Sequence, residues 1–154
     1  MKEIRVFIPE EVYTILEFKQ DNLPGIAVIN TALRDFEQKE VFSWHLSVMM
    51  DLEDLIDNGM PSKNEREIID LYEDRLDALI KGTDLEKPNA LFLGRITWNK
   101  TRELIWRVYA PDIADIELKK IIKEDTSPRQ FDYKMESDEK WSLTKWHLNK
   151  GNVD

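Results

Sequence analysis

Between Phe42 and Met50 every even position is apolar (Phe42, Trp44, Leu46, Val48, Met50), while Ser43, His45 and Ser47 take odd positions. Successive side chains leave a pleated strand on opposite sides, so a period of two marks a strand with one buried face. The alternation predicts that Phe42, Trp44 and Leu46 enter a core and that His45 points the other way. The helix that follows has a different period. Ile68, Tyr72, Leu76, Leu79 and Ile80 recur at helical spacing over Ser62–Lys81. Ser62 and Glu65 have the spacing of a capping box, and Gly82 stands where a helix C-terminal glycine belongs.

The rest of the chain extends the pattern. Ala90–Trp98 and Arg102–Ala110 read as strands joined by a tight turn at Asn99-Lys100-Thr101. A shorter helix opens at Pro111-Asp112, with Asp112 as N-cap and Ala114, Leu118, Ile121 and Ile122 facing inward, until Ser127-Pro128 breaks it. Arg129–Ser137 alternates again, with Phe131, Tyr133 and Met135 on one side. Upstream, Val12–Lys19 and Ile26–Leu33 read as two strands with Pro24-Gly25 ending the turn between them. The order β-α-β-β-α-β over 41–138 predicts an α+β fold. Its expected form is a ferredoxin-like antiparallel sheet with two helices on one face, extended by an N-terminal β-hairpin in 1–40. A tail over 139–154 carries Trp141 and Trp146, expected to pack back on the body. All 154 residues are read as one domain.

Charge narrows the function classes. Lys and Arg total 22 against 31 Asp and Glu, a formal charge of −9. Nucleic-acid binding draws on cations that displace phosphate counterions, so this balance argues against nucleic-acid or anionic-membrane partners and favours a basic partner surface or none. An open sheet that stacks bases would also need paired aromatics, where this face offers Tyr109 and Ile105. Cysteine is absent, which removes disulfides, thiolate nucleophiles and Cys-based zinc sites. Met1–Ile8 lacks the apolar core of a signal peptide, no run is long enough to span a bilayer, and the cytoplasm is the expected address.

Gly25-Ile26-Ala27-Val28-Ile29-Asn30 with Leu33, the Asp57-Asn58-Gly59-Met60-Pro61 loop, Glu65 and the Glu73-Asp74 pair occur in that order. Gly94-Arg95-Ile96-Thr97, Arg102-Glu103, Tyr109 and Trp141 follow. On these residues the chain resembles family 695 of the bacterial domains of unknown function, over 12–148. Its second half is also similar to the regulator of ribonuclease E activity B, a protein inhibitor with a ferredoxin-like fold. That likeness implies a regulator that binds another protein.

Each candidate site has a bland counterpart. Asp51, Glu53, Asp54 and Asp57 crowd one loop, with Glu65, Glu73 and Asp74 on the following helix. Against an EF-hand loop, Asp54, Asn58, Gly59 and Glu65 fall at positions one, five, six and twelve. Ile56 supplies no oxygen at position three, Pro61 interrupts the loop, and a solvated turn is preferred to a metal site. Gly59, Met60 and Pro61 read as loop geometry, with a positive-φ turn, a packed Met and a restricted helix entry. His45 lies on the wetter strand face, where Glu103, Ile105, Arg107 and Tyr109 share its parity, with Arg95 and Thr97 expected to join from an edge strand. His45, Arg95, Arg107 and Tyr109 thus form a candidate ligand or partner surface, against the alternative of an ordinary polar sheet face or one covered by the hairpin or by a partner subunit. No Ser-His-acid spacing, phosphate loop or His-x-x-x-His motif is present, and no catalytic residue, metal or cofactor is assigned. The expected role is a non-catalytic protein-interaction or regulatory module. The alternative is a small-ligand binder or enzyme with a shallow polar site on the open sheet face.

Overall fold

A computed structural model describes residues 6–150 of the chain, so the readings of Met1–Ile8 and of the tail lie partly outside the described residues. The fold is α+β. Six antiparallel strands, β1 (Tyr13–Gln20), β2 (Leu23–Asn30), β3 (Trp44–Asp51), β4 (Ala90–Trp98), β5 (Thr101–Val108) and β6 (Phe131–Ser137), form one sheet ordered β1-β2-β4-β5-β3-β6. Three helices accompany it: α1 (Lys63–Lys81), α2 (Pro111–Glu124) and the short α3 (Lys145–Lys150).

The parity expected around His45 holds for Leu46, Val48 and Met50, whereas Trp44 is half-buried and Phe42 packs on the opposite face. Leu46, Val48 and Met50 of β3 join Leu104, Trp106 and Val108 of β5 beneath Ile69, Tyr72, Leu76 and Ile80 of α1 and Ala114, Leu118 and Ile121 of α2. The opposite face is not open. Ala27, Ile29, Leu91, Leu93 and Ile105 pack there against Leu33, Phe36 and Phe42 from two 3-10 turns (Thr31–Asp35 and Lys39–Phe42) and against Trp141 and Leu148 from the C-terminal segment. Each fully buried aliphatic side chain contributes about 1.5–3 kcal/mol, so two cores anchor the central strands from both sides.

Local details depart from expectation for identifiable reasons. Pro24 and Gly25 lie inside β2; the turn is Asp21-Asn22, both with positive φ, the conformation that suits a two-residue hairpin loop. Phe42 is buried from a 3-10 turn before β3 begins. In α1, Ser62 Oγ accepts the Glu65 N–H at 3.1 Å, but the Glu65 carboxylate is drawn away to Arg129 and the Glu53 N–H, so half of the capping box forms. Ile69 replaces Ile68 on the buried stripe. In α2 the N-cap is Ala110, with Pro111 and Asp112 already inside the first turn, and Ile122 stays exposed.

One irregularity redirects a candidate residue. The β4–β5 register shifts between Phe92 and Gly94: Phe92 faces Trp106, but Gly94 faces Ile105. The extra residue inverts the inside-outside alternation of everything after it. Gly94 permits the close approach, since a Cβ there would stand 2.6 Å from the Val28 carbonyl oxygen. Gly59 has φ +75°, and a Cβ would lie 3.1 Å from Lys100 N, where the Asp57–Gly59 turn docks on the Asn99-Lys100 hairpin.

Candidate functional site

The register places the residues around His45 in three rows. Glu136, His45 and Arg107 lie side by side across β6, β3 and β5; Lys134, Ser47 and Ile105 form the next row, and Asp132, Met49 and Glu103 the third. All belong to the sheet face away from α1 and α2. Leu143 and His147 rise beside these rows from the C-terminal segment, leaving an open groove of about 310 Å³.

At one end of the groove the chain ties itself down. Arg107, wholly buried, donates to Asp138 Oδ2 (3.0 Å), to the Asp138 carbonyl (2.5 Å), to the Phe42 carbonyl (3.3 Å) and to His45 Nδ1 (3.3 Å). Its guanidinium carbon stands 4.6 Å from the centre of the Trp141 ring, whose indole N–H donates to the Lys39 and Phe42 carbonyls. Asp138 also accepts the Ser142 and Leu143 N–H groups, starting the turn that carries Leu143 and His147. Burial opposes both charges of the pair. For Asp138 the Leu143 N–H, the Arg107 guanidinium and the Ser142 N–H outweigh it, and the carboxyl ends below its ordinary value. For Arg107 the Asp138 carboxylate does not fully offset burial and the value is lowered, although a guanidinium stays charged over the working pH range.

Both histidines of the groove are neutral near pH 7. Burial, then the charge of Arg107, lowers His45 to about 4, and burial lowers His147 to about 4. Because a guanidinium only donates, His45 Nδ1 accepts from Arg107 and the imidazole proton sits on Nε2. The buried Nδ1 of His147 has no hydrogen-bond partner among the described residues. Ser47 Oγ pairs with Glu103 Oε2 at 2.5 Å. Serine hydroxyl and imidazole therefore have separate partners, unlike a nucleophile and its base.

The four residues grouped by the sequence do not converge. His45 and Arg107 touch. Arg95, beyond the β4 bulge, faces the other side of the sheet and makes two 2.7 Å hydrogen bonds to Glu73 of α1; nor is β4 an edge, lying between β2 and β5. Tyr109 follows the end of β5 and is exposed. The C-terminal segment lies over part of this surface, which was expected to be open or, alternatively, covered by the N-terminal hairpin or a partner subunit.

The loop residues have structural partners. Gly59 O accepts the Lys100 N–H, Met60 O accepts the Ile56 N–H, and Pro61 forms an antiparallel bridge with Leu55. The fully buried Glu65 takes two charge-assisted bonds from Arg129 (2.7 and 2.5 Å) and one from the Glu53 N–H (2.8 Å). The Arg129 bonds hold its carboxyl at about 2, against the opposing effect of burial. Asp54 accepts from the Ser62 hydroxyl and Glu53 pairs with Arg129. Among the described residues no three His, Cys, Asp or Glu side chains are grouped to hold a metal ion.

Sequence reasoning missed Asp138, His147, Glu103, Lys134 and Glu136. The alternation of Phe131, Tyr133 and Met135 already put Lys134 and Glu136 on the opposite face. Glu103 shares the parity of Arg107, which had placed it on the His45 face without marking it as a site. Nothing local flags Asp138 or His147, whose positions depend on how the C-terminal segment folds over the sheet.

No helix among the described residues is long and apolar enough to cross a membrane. A family model, DUF695, described as a family of unknown function, matches residues 18–146. No curated protein and no solved structure matches the chain.

Proposed function

The chain belongs to DUF695, a family of unknown function whose model covers most of it, and from its groove we propose a non-catalytic, cytoplasmic protein-interaction or regulatory module that holds a basic segment of another protein. The carrying observation is the charge of the groove. Glu103, Asp132 and Glu136 line it against one lysine, Lys134, beside neutral imidazoles. The two arginines that could have made it an anion site are committed elsewhere, Arg107 to Asp138 and Arg95 to Glu73. A lysine or arginine from a partner complements this trough, and long-range attraction toward a chain of charge −9 adds to its encounter rate.

The strand order β4-β5-β3-β6, with α1 and α2 packed on one face, supports a ferredoxin-like unit extended by the β1–β2 pair. Likeness of the second half to the regulator of ribonuclease E activity B rests on that arrangement alone, and fold by itself does not carry function.

The test is fluorescence anisotropy with labelled extended peptides, rich in Lys and Arg in one set and in Asp and Glu in the other. Basic peptides bind, acidic ones do not, and Glu103→Gln with Glu136→Gln weakens binding by about tenfold, as expected for two lost charge contacts. Equal binding of both sets, or binding unchanged in the double variant, overturns the proposal.

A further inference from the structure

β6 is an edge of the sheet. Its pairing with β3 runs unbroken from Phe131 to Ser137, and its other side meets no strand among the described residues. It contains no proline and no bulge, two of the devices that blunt exposed edges. Its side chains sort into two rows. Phe131, Tyr133 and Met135 lie half-buried on the helix side, while Asp132, Lys134 and Glu136 alternate in sign on the groove side. Above the apolar row Tyr133 donates to Asp115 of α2, and Ile122, two helical turns on and on the same flank, is 53% exposed.

We propose that a second copy of this chain pairs with β6, antiparallel and centred on Tyr133, joining two sheets into one. This goes beyond the function proposed above and does not depend on it. Charge and the apolar row together choose the register: centred on Met135, Lys134 would also face an opposite charge, the partner's Glu136, but Tyr133 would then meet Ser137. Centred on Tyr133, Asp132 faces the partner's Lys134 and Lys134 faces the partner's Asp132, while Phe131 meets the partner's Met135. Opposite charges directly across a strand pair stabilise it and like charges destabilise it. Centred on Lys134, the pairing would set lysine against lysine and Asp132 against the partner's Glu136. The other edge, β1, also has an opposite-charge register, centred on Phe18 with Glu17 facing the partner's Lys19, but there Leu16 meets the partner's Gln20, whereas on β6 the apolar row meets itself through Phe131 and Met135. The two-fold axis through Tyr133 stands normal to the sheet, so both grooves fall on one side and share a continuous floor, each copy supplying part of it.

The experiment is sedimentation equilibrium of the full chain at about 0.15 M salt, where repulsion between two acidic chains is screened beyond about 8 Å. The unaltered chain dimerises. Asp132→Lys and Lys134→Asp each weaken the dimer by about tenfold or more, because two symmetric pairs change from attractive to repulsive. The double variant D132K/K134D restores it, as does mixing the two single variants. A chain that stays monomeric at millimolar concentration overturns the proposal, and so does a dimer indifferent to the single changes or not recovered by the double one. Should a variant fail to fold, amide exchange on the unaltered chain decides: β6 amides slow on concentration, and no slowing refutes the pairing.

Discussion

Asp138 is the group whose loss the structure makes most costly. Asp138→Ala leaves Arg107, with no exposed surface, beside the Trp141 ring and the neutral His45 with no carboxylate to compensate it. Breaking a buried ion pair from one side costs about 3–5 kcal/mol, because the remaining charge cannot reach water. The Ser142 and Leu143 N–H groups also lose their acceptor, but both are at the surface and water replaces it. For a chain of this size each kcal/mol lowers Tm by about 2–4 °C, so the expected fall is about 6–20 °C. The comparison is Asp70→Ala, which removes the 2.6 Å partner of Arg102; Arg102 is buried too, but it keeps the Thr97 hydroxyl and its lost partner is 63% exposed, so the expected loss is smaller, about 1–2 kcal/mol. Urea unfolding at pH 7, followed by tryptophan fluorescence, reads both. The double variant Arg107→Met with Asp138→Ala should recover part of the loss, since an apolar side chain tolerates the site that a lone guanidinium does not. A loss for Asp138→Ala no larger than that for Asp70→Ala would refute the view that this ion pair is what clasps the C-terminal segment to the sheet.

Stability should depend on pH through the buried His45 and the half-buried His147. Each falls from 6.5 to about 4 on folding, so between those values the unfolded chain binds more protons and stability rises with pH. The contribution is complete above about 6.5, is lost as pH falls toward 4, and amounts to about 3 kcal/mol per histidine. Urea midpoints at pH 7.5, 6 and 5 test this, and His45→Asn or His147→Asn should flatten the slope; an unchanged slope would remove burial as its cause. Glu65 acts in a lower window, its contribution being present above about 4.5 and lost as pH falls toward 2. Glu65→Ala strands Arg129 with the exposed Glu53 and should cost about 2–4 kcal/mol by denaturant titration, whereas Glu53→Ala should cost less than 1. Gly94→Ala drives a methyl group against the β2 backbone and should cost about 2–3 kcal/mol, a value near zero by calorimetry meaning that β2 and β4 can separate freely.

The sequence was most legible where a single period governed a segment. Leu46, Val48 and Met50 are buried as the alternation required, and the Ser62–Gly82 helix begins and ends on its expected caps. Legibility failed where one residue changed the count. The bulge before Gly94 moved Arg95 from the face of His45 to the face of α1, and no local rule distinguishes such a strand from a regular one. Asp21-Asn22 lacks the glycine that usually marks a two-residue turn, and Pro24-Gly25, a stronger turn signal, drew the boundary away from it. The cover over the His45 face came from far along the chain. Trp141 reaches the Phe42 carbonyl across 99 residues, a contact fixed by tertiary packing alone.

The same acid-rich composition that argues for a basic partner also explains why the arginines are not the site. On α1, Asp70, Glu73 and Asp77 recur at i, i+3 and i+7, forming one flank of the helix. The sheet answers each of them: Arg102 binds Asp70, Arg95 binds Glu73, and the Trp106 indole N–H binds Asp77. Arg129 meets Glu65 at the start of the same helix, and Arg107 meets Asp138 on the opposite face. Where carboxylates exceed cations, a sheet arginine finds an internal carboxylate, and holding the layers together consumes the positive charge that anion binding would need. Among the described residues, the carboxylates lining the groove share it with one cation, Lys134. In the function proposed above, they are the carboxylates that a basic segment would meet.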